Sequence, residues 1–269
     1  MASIAEGRAR DGFGNGNVAS TSADATVLYD PSPPAVPIAP DLTAATDTSA
    51  PSLIATNGRA DDITRSETLT FTSAEAVPAT TLPADTAGGS VRLYRSTTAT
   101  GASDPAQPVA IAEIVGGGYT LSDPGSAGLA DGTYHYSVRL LDRAGNTSAE
   151  SPRLAVTLDR SAPVPSMAYT RSIVTLVPLL GSVTVAGTAP HAPGDLLPLD
   201  IRVCSGSSTG CATASTATVM ADASTGSYSY TTGSLLGGIL SSSTAQVSQY
   251  DRAGNRGSSA PVTLPGLLG

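Results

Sequence analysis

The sequence contains no lysine and no tryptophan, and only two cysteines, two histidines and two phenylalanines among 269 residues. With aromatics at 4%, any core must be built mainly from Val, Leu, Ile, Ala and Tyr. Charged residues are 13%, about half the usual share of a soluble domain. The Leu, Glu, Lys and Ala-rich periodic runs that long helical bundles and coiled coils need are missing. No apolar run is long enough to span a membrane: the best, Ile173 to Gly187, is broken by Pro178 and punctuated by Thr and Ser. All 14 basic residues are Arg, scattered singly against 22 acidic residues, for a net charge of -8. A phosphate backbone needs a basic patch, so neither nucleic acid nor membrane insertion is expected. Met1 to Arg10 has no apolar signal core, so no secretion address is expected at this N-terminus.

What is abundant favours strands and turns. Gly and Pro number 28 and 20, and Ser with Thr make up roughly a quarter of the chain. Internal repetition organises them. Asp-Arg-Ala-Gly-Asn occurs at Asp142 to Asn146 and at Asp251 to Asn255, with a looser copy, Asp-Gly-Phe-Gly-Asn, at Asp11 to Asn15. Upstream of the strict copies Tyr119 and Leu121 align with Tyr228 and Tyr230, and Val138 with Val247. Val91-Arg-Leu-Tyr94 matches Ile201-Arg-Val-Cys204 after a one-residue slip. Downstream, Asp142 leads to Asp159-Arg-Ser-Ala-Pro163, and Asp11 to Asp30-Pro-Ser-Pro-Pro34. A unit therefore ends in an Asp followed by a Pro-containing linker.

Within a unit the period is two. Leu69 and Phe71, Val91 and Leu93, Tyr134 to Leu140, and Leu154, Val156 and Leu158 alternate with polar or small residues, which places one face on a core and one in water. Such strands, separated by Gly, Pro, Asp and Ser clusters at about seven per unit, predict an all-β antiparallel sandwich. The pentapeptide suits an F-G hairpin turn: Asp142 or Asp251 accepts amide bonds, Gly145 or Gly254 supplies a positive φ, and Asn146 or Asn255 closes the turn.

Leu129-Ala-Asp-Gly-Thr-Tyr134 has the turn residues and the Tyr of a tyrosine corner. Here the chain resembles the bacterial immunoglobulin-like repeats of large surface adhesins and biofilm-associated proteins. Their units run through an Asp-Gly-Thr-Tyr-like corner and an Asp-x-Ala-Gly-Asn turn to an Asp-x-x-x-Pro linker. Pro40 to Asp47 with Asp61-Asp62-Ile-Thr64 looks like the opening of such a unit. The resemblance covers nearly the whole chain. It implies tandem immunoglobulin-like β-sandwiches, with residues 1–34 the hairpin remnant of a truncated repeat, 35–162 one repeat, and 163–269 a divergent repeat. In the divergent repeat Ser243 stands where the first has Tyr134, so the corner lock is expected to be missing, and the Asp-rich opening is absent. The chain is expected to be a piece of a longer array.

The resemblance also implies calcium at unit junctions, and Asp41, Asp47, Asp61, Asp62, Asp142 and Asp159 are the positions to ask about. The bland alternative is that these carboxylates cap turns, and no stretch matches a compact Asp-x-Asp-x-Asp-Gly calcium loop. Cys204 and Cys211 bracket a loop that could reverse the chain, so a disulfide is expected, consistent with an oxidising compartment. The same loop holds Gly206-Ser-Ser208-Thr-Gly210, a formal match to a nucleophile elbow, but no helix is expected after it. His135 and His191 read as solvent histidines. The function expected is non-enzymatic: a spacer or adhesion module of a bacterial cell-surface or secreted protein, whose partners are neighbouring repeats and a host or cell-surface ligand. The alternative is a carbohydrate-binding accessory sandwich of a secreted enzyme, against which the absence of Trp counts.

Overall fold

A computed structural model describes residues 4–19, 29–53, 60–73, 89–101, 107–115, 117–173, 181–192, 194–205, 213–232 and 242–266. The described strands, in chain order, make two series. The first is β1 (Pro40–Leu42), β2 (Ile63–Thr64), β3 (Leu69–Ser73), β4 (Ser90–Ser96), β5 (Ala110–Glu113), β6 (Thr120–Asp123), β7 (Gly132–Leu141) and β8 (Leu154–Leu158). The second is β9 (Ala168–Ile173), β10 (Gly181–Thr188), β11 (Asp195–Ser205), β12 (Thr213–Met220), β13 (Ser227–Thr231), β14 (Ser243–Asp251), β15 (Arg256–Ser258) and β16 (Val262–Leu264). Among the described residues the only helical element is a 3-10 turn at Ser126–Gly128.

Each series folds into one sandwich of a three-stranded and a five-stranded sheet. In the first unit the orders are β1-β3-β6 and β2-β8-β7-β4-β5. In the second they are β13-β10-β9 and β12-β11-β14-β15, with β16 also pairing β14. Pairing is antiparallel, apart from β2 alongside β8. The period-two pattern is the cause: every second residue of a strand turns inward, and the apolar faces of the two sheets meet. Val91 and Leu93 lie opposite Leu140 and Val138, and Ile201 and Val203 lie opposite Val247 and Ala245. The central pairs β4-β7 and β11-β14 are thus equivalent. With Leu93 opposite Val138 and Ile201 opposite Val247, however, Ile201 corresponds to Leu93, which corrects by two residues the match of Val91 to Ile201 read from the sequence. The two cores are separate, one around Leu69, Phe71, Leu93 and Val156 and one around Val183, Val185, Leu199 and Ile201.

A polar group crosses the first core. Tyr136, fully buried against Phe71 with ring centroids 4.4 Å apart, donates its hydroxyl to Asp123 Oδ2 at 2.9 Å. Arg95 pairs with the same carboxylate, so the buried charge is compensated. Burial, reinforced by the Asp123 carboxylate, pushes the Tyr136 phenol far above its ordinary pKa, so it remains a donor.

Tyr134 Oη donates to Ala130 O at 3.0 Å, four residues upstream. The second unit has Ser243 in place of this tyrosine, and that serine is instead bonded by a side chain from another strand. Tyr169 of β9 sends its hydroxyl across the sandwich to Ser243 Oγ at 2.8 Å, in a buried bond. The two bonds differ in kind, since Tyr134 reaches a main-chain oxygen of its own corner and Tyr169 a side chain on the facing sheet.

The expected F-G hairpin is only partly regular. After the turn at Asp142, residues 147–153 follow β7 without forming strand, and their side chains replace ladder acceptors: Ser148 Oγ accepts from Leu140 N at 2.9 Å and Ser151 Oγ from Val138 N at 3.0 Å. Ser259 Oγ does the same for Val247 N, at 3.1 Å, in the second unit. At the N-terminus Asn15 closes on both carboxylate oxygens of Asp11 at 2.9 Å. The rest of the hairpin expected there, residues 20–28, lies outside the described residues.

Candidate functional site

The structure brings the repeated pentapeptide, the linker and the acidic opening together at the junction of the two units. The turn comes first. Asp251 Oδ1 accepts from Asn255 N and Oδ2 from Asn255 Nδ2, both at 2.8 Å. Asp142 holds Asn146 in the same two bonds, at 2.7 and 2.9 Å. Gly254 and Gly145 sit at φ +89° and +94°, the left-handed region that a side chain disfavours. Asp251 is buried, which raises its pKa above the ordinary carboxylate value despite the Asn255 bonds.

Bonded to Asp at one side, the Asn amide has a second proton to place, and it goes to the linker. Asn255 Nδ2 donates to Asp159 O at 2.8 Å, and Asn146 Nδ2 donates to Asp30 O at 2.9 Å. Each turn therefore grips the linker Asp that enters its own unit. Reading the pentapeptide as a hairpin turn alone missed this second role. Its signal in the sequence was the co-occurrence of one linker Asp with each strict pentapeptide.

The linker is held from the first unit as well. Arg160 donates to Leu129 O at 2.9 Å and to Ser126 O at 3.1 Å, and Arg160 N and Ser161 Oγ reach Asp131 Oδ2 at 3.0 and 2.8 Å. Further along, a Cβ on Gly257 would stand 1.7 Å from Pro163 O, so only glycine admits the linker there.

Direct contacts between the units complete the junction. Thr48 Oγ1 donates to Ala253 O at 2.7 Å, and Arg252 Nε lies 3.3 Å from Asp61 Oδ2. A Cβ on Gly254 would come within 2.8 Å of Ser49 O. Thr48 is itself fixed by Thr64, whose Oγ1 accepts from Thr48 N at 3.3 Å and whose hydroxyl donates to Thr46 O at 2.6 Å.

Of the acidic positions, Asp47, Asp61 and Asp62 gather here. Asp47 is 1% exposed; its Oδ2 accepts from Asp62 N at 3.3 Å and its Oδ1 is buried without a hydrogen-bond partner. Burial, with repulsion from Asp61 and Asp62, raises its pKa to about 7. Asp62, at φ +56°, is raised by burial and by Asp41 and Asp61. Asp41 is exposed on β1. Asp142 is committed to its turn, and Asp159 Oδ1 accepts from Ser161 N at 3.1 Å. Among the described residues no group of three or more acidic, His or Cys side chains converges so as to hold a metal ion.

Cys204 is buried on β11, opposite Ala214. Cys211 and the Gly206 to Gly210 motif lie outside the described residues. His135 sits half-buried on β7, and His191 Nδ1 lies 3.3 Å from Ala189 O. Among the described residues no helix is long and apolar enough to cross a membrane.

No protein-family model matches the chain, and no curated protein matches it. Solved structures do. The tetra-tandem repeat in the extending region of a large adhesion protein is 21% identical over 77% of this chain and 47% of that one, with a TM-score of 0.29. The fibronectin(III)-like modules of Clostridium thermocellum CbhA are 15% identical over 75% and 84%, with a TM-score of 0.36. A Ca2+-stabilized adhesin that helps an Antarctic bacterium reach out and bind ice is 19% identical over 86% and 49%, with a TM-score of 0.44. The chain spans about half the length of the first and third of these structures.

Proposed function

We propose that the chain is a run of non-enzymatic immunoglobulin-like repeats that serves as a stalk in a bacterial surface or secreted adhesin. The observation that carries this reading is the junction, where one linker is bonded to both units and the units touch each other through Thr48, Asp61, Arg252 and Ala253. A linker that only tethered would leave these groups to water. Bonding them fixes the angle between neighbours, which is what a spacer needs to convert repeats into reach. The test is small-angle X-ray scattering of the full chain. One fixed arrangement of the two units should fit the data, and Arg252→Ala with Asn255→Ala should broaden the distance distribution. A wild-type curve that needs many inter-unit orientations would remove the reading.

Calcium at the junction is part of this proposal, favoured by the unpartnered Asp47 Oδ1 beside Asp61 and Asp62. Those three residues would hold it, and a bound calcium would supply charge compensation and stiffness. As arranged, the carboxylates do not converge, so binding would require Asp61 or Asp62 to turn toward Asp47. Calorimetric titration of the full chain, with Asp61→Asn and Asp62→Asn as controls, tests it: heat that the variants abolish supports calcium, and no heat at millimolar calcium leaves the junction metal-free. A Cys204–Cys211 disulfide belongs to the same extracellular reading, and thiol titration of the unfolded chain before and after reduction checks it.

The carbohydrate-binding alternative has one observation behind it. A hollow of about 410 Å³ on the outer face of β11, β12 and β14 is lined by Asp200, Arg202, Gln246 and Arg256. Arg256 lies over the Tyr250 ring, 5.7 Å from its centroid. A glycan array with an Arg202→Ala, Gln246→Ala control would support this alternative if specific binding is lost in the variant.

A further inference from the structure

The same five residues stand in two environments. At Asp251 to Asn255 the turn is covered by the first unit: Ala253 and Gly254 are buried, Thr48 donates to Ala253 O at 2.7 Å, and Arg252 faces Asp61 at 3.3 Å. At Asp142 to Asn146 the internal geometry is the same, with matching Asp-Asn bonds, a matching glycine φ and a matching grip on the linker. Yet Arg143, Ala144 and Gly145 are exposed, and a Cβ on Gly145 would meet nothing within 4 Å. One chain thus carries a covered copy and an exposed copy of one surface.

We infer that the exposed tip Arg143-Ala144-Gly145 is a docking surface for the Asp47 to Ala50 loop and Asp61 of a second copy of the first unit, placed ahead of it in tandem. The covered copy states what an occupant must bring. It needs a carboxylate for the guanidinium, a hydroxyl to donate to the carbonyl of the Ala, and a backbone small enough to lie against the Gly. Asp61, Thr48 and Ser49 of the first unit bring all three to Arg252, Ala253 and Gly254, and the first unit's own turn has the identical tripeptide.

The surface is selective on both sides. The turn at Asp11 to Asn15 has Gly12 and Phe13 where the strict copies have Arg and Ala, so it lacks the guanidinium and would push a 96% exposed ring into the contact. The second unit cannot be the donor, because its opening, from Ser161 to Gly181, contains no acidic residue. First-type units can therefore stack on their own kind, whereas a unit of the second type receives a neighbour without offering the same loop onward. This inference rests on the stalk reading, and adds to it which unit follows which.

The test inserts a duplicate of residues 35–163 into the full chain, giving first, first and second units in series. One version carries Thr48→Cys in the middle unit and Ala253→Cys, across the existing junction. The other carries Thr48→Cys in the leading unit and Ala144→Cys in the middle unit, across the new one. Oxidative cross-linking is read by peptide mapping. Cross-links of comparable yield at both junctions are expected, with Arg143→Glu in the middle unit reducing the yield at the new junction and Arg143→Lys keeping it. A cross-link at the existing junction alone would overturn the docking inference while leaving the stalk reading in place. Cross-links at neither would overturn both, since the covered template itself would then be lacking.

Discussion

Asn255 donates one side-chain proton to Asp251 within its own turn and the other to the main-chain oxygen of Asp159 in the linker. A hairpin turn and an inter-unit joint therefore share one amide. Replacing it affects both the stability of the second unit and its attachment to the first.

Asn255→Ala should destabilise the second unit by about 1 to 3 kcal/mol, because it leaves the buried Asp251 carboxylate and Asp159 carbonyl short of donors. Asn146→Ala should act likewise on the first unit through Asp142 and Asp30. Urea unfolding of the full chain, followed separately for the two units by amide exchange, measures both. An unchanged second-unit midpoint in Asn255→Ala would refute the shared role.

The two turn glycines should respond differently to the same change. Gly145→Ala carries only the strain of a positive φ, about 1 kcal/mol. Gly254→Ala adds a Cβ that would stand 2.8 Å from Ser49 O, so it must also push the units apart. Thermal melts of the two variants should rank Gly254→Ala as clearly worse, and equal losses would show that the contact with Ser49 contributes nothing.

Asp47 makes the first unit's stability depend on pH. Its folded pKa of about 7 lies above the ordinary carboxylate value, so its contribution is fully present below about pH 4 and is lost as pH rises through 7. Asp47→Asn removes the ionising group. Relative to wild type in the presence of chelator, it should gain on the order of 2 kcal/mol at pH 8 and close to none at pH 4. A difference that does not change with pH would contradict the burial of this charge.

The anchoring tyrosines should rank by burial. Tyr134→Phe removes a bond near the surface and should cost about 1 kcal/mol or less. Ser243→Ala leaves the buried Tyr169 hydroxyl without its partner and should cost about 1 to 3 kcal/mol. Denaturant unfolding of the two variants gives the ranking, and a larger loss for Tyr134→Phe would reverse it.

The fold was legible because it is written locally. Alternation in β4, β7 and β8 and the Gly145 and Gly254 turns each report a neighbour a few residues away, and the aligned repeats placed Val138 and Val247 on equivalent strands. Long-range pairs were not legible. Nothing near Ser243 in sequence announces Tyr169, 74 residues earlier, and nothing near Asn255 announces Asp159, 96 residues earlier. The acidic opening was visible as composition, but only the fold shows that Asp47 is buried while Asp41 is exposed. Asp123 went unremarked for the same reason, since a single Asp before a Pro reads as a turn until Tyr136 and Arg95 close on it.

The central claim is that the junction holds the two units at one angle, and residual dipolar couplings of the full chain in a dilute aligning medium test it most directly. Couplings from the first unit and from the second should fit a single alignment tensor of one magnitude and orientation, and Arg252→Ala with Asn255→Ala should split that fit in two. Separate tensors of different magnitude in the wild-type chain would mean that the units move independently, and would contradict the account.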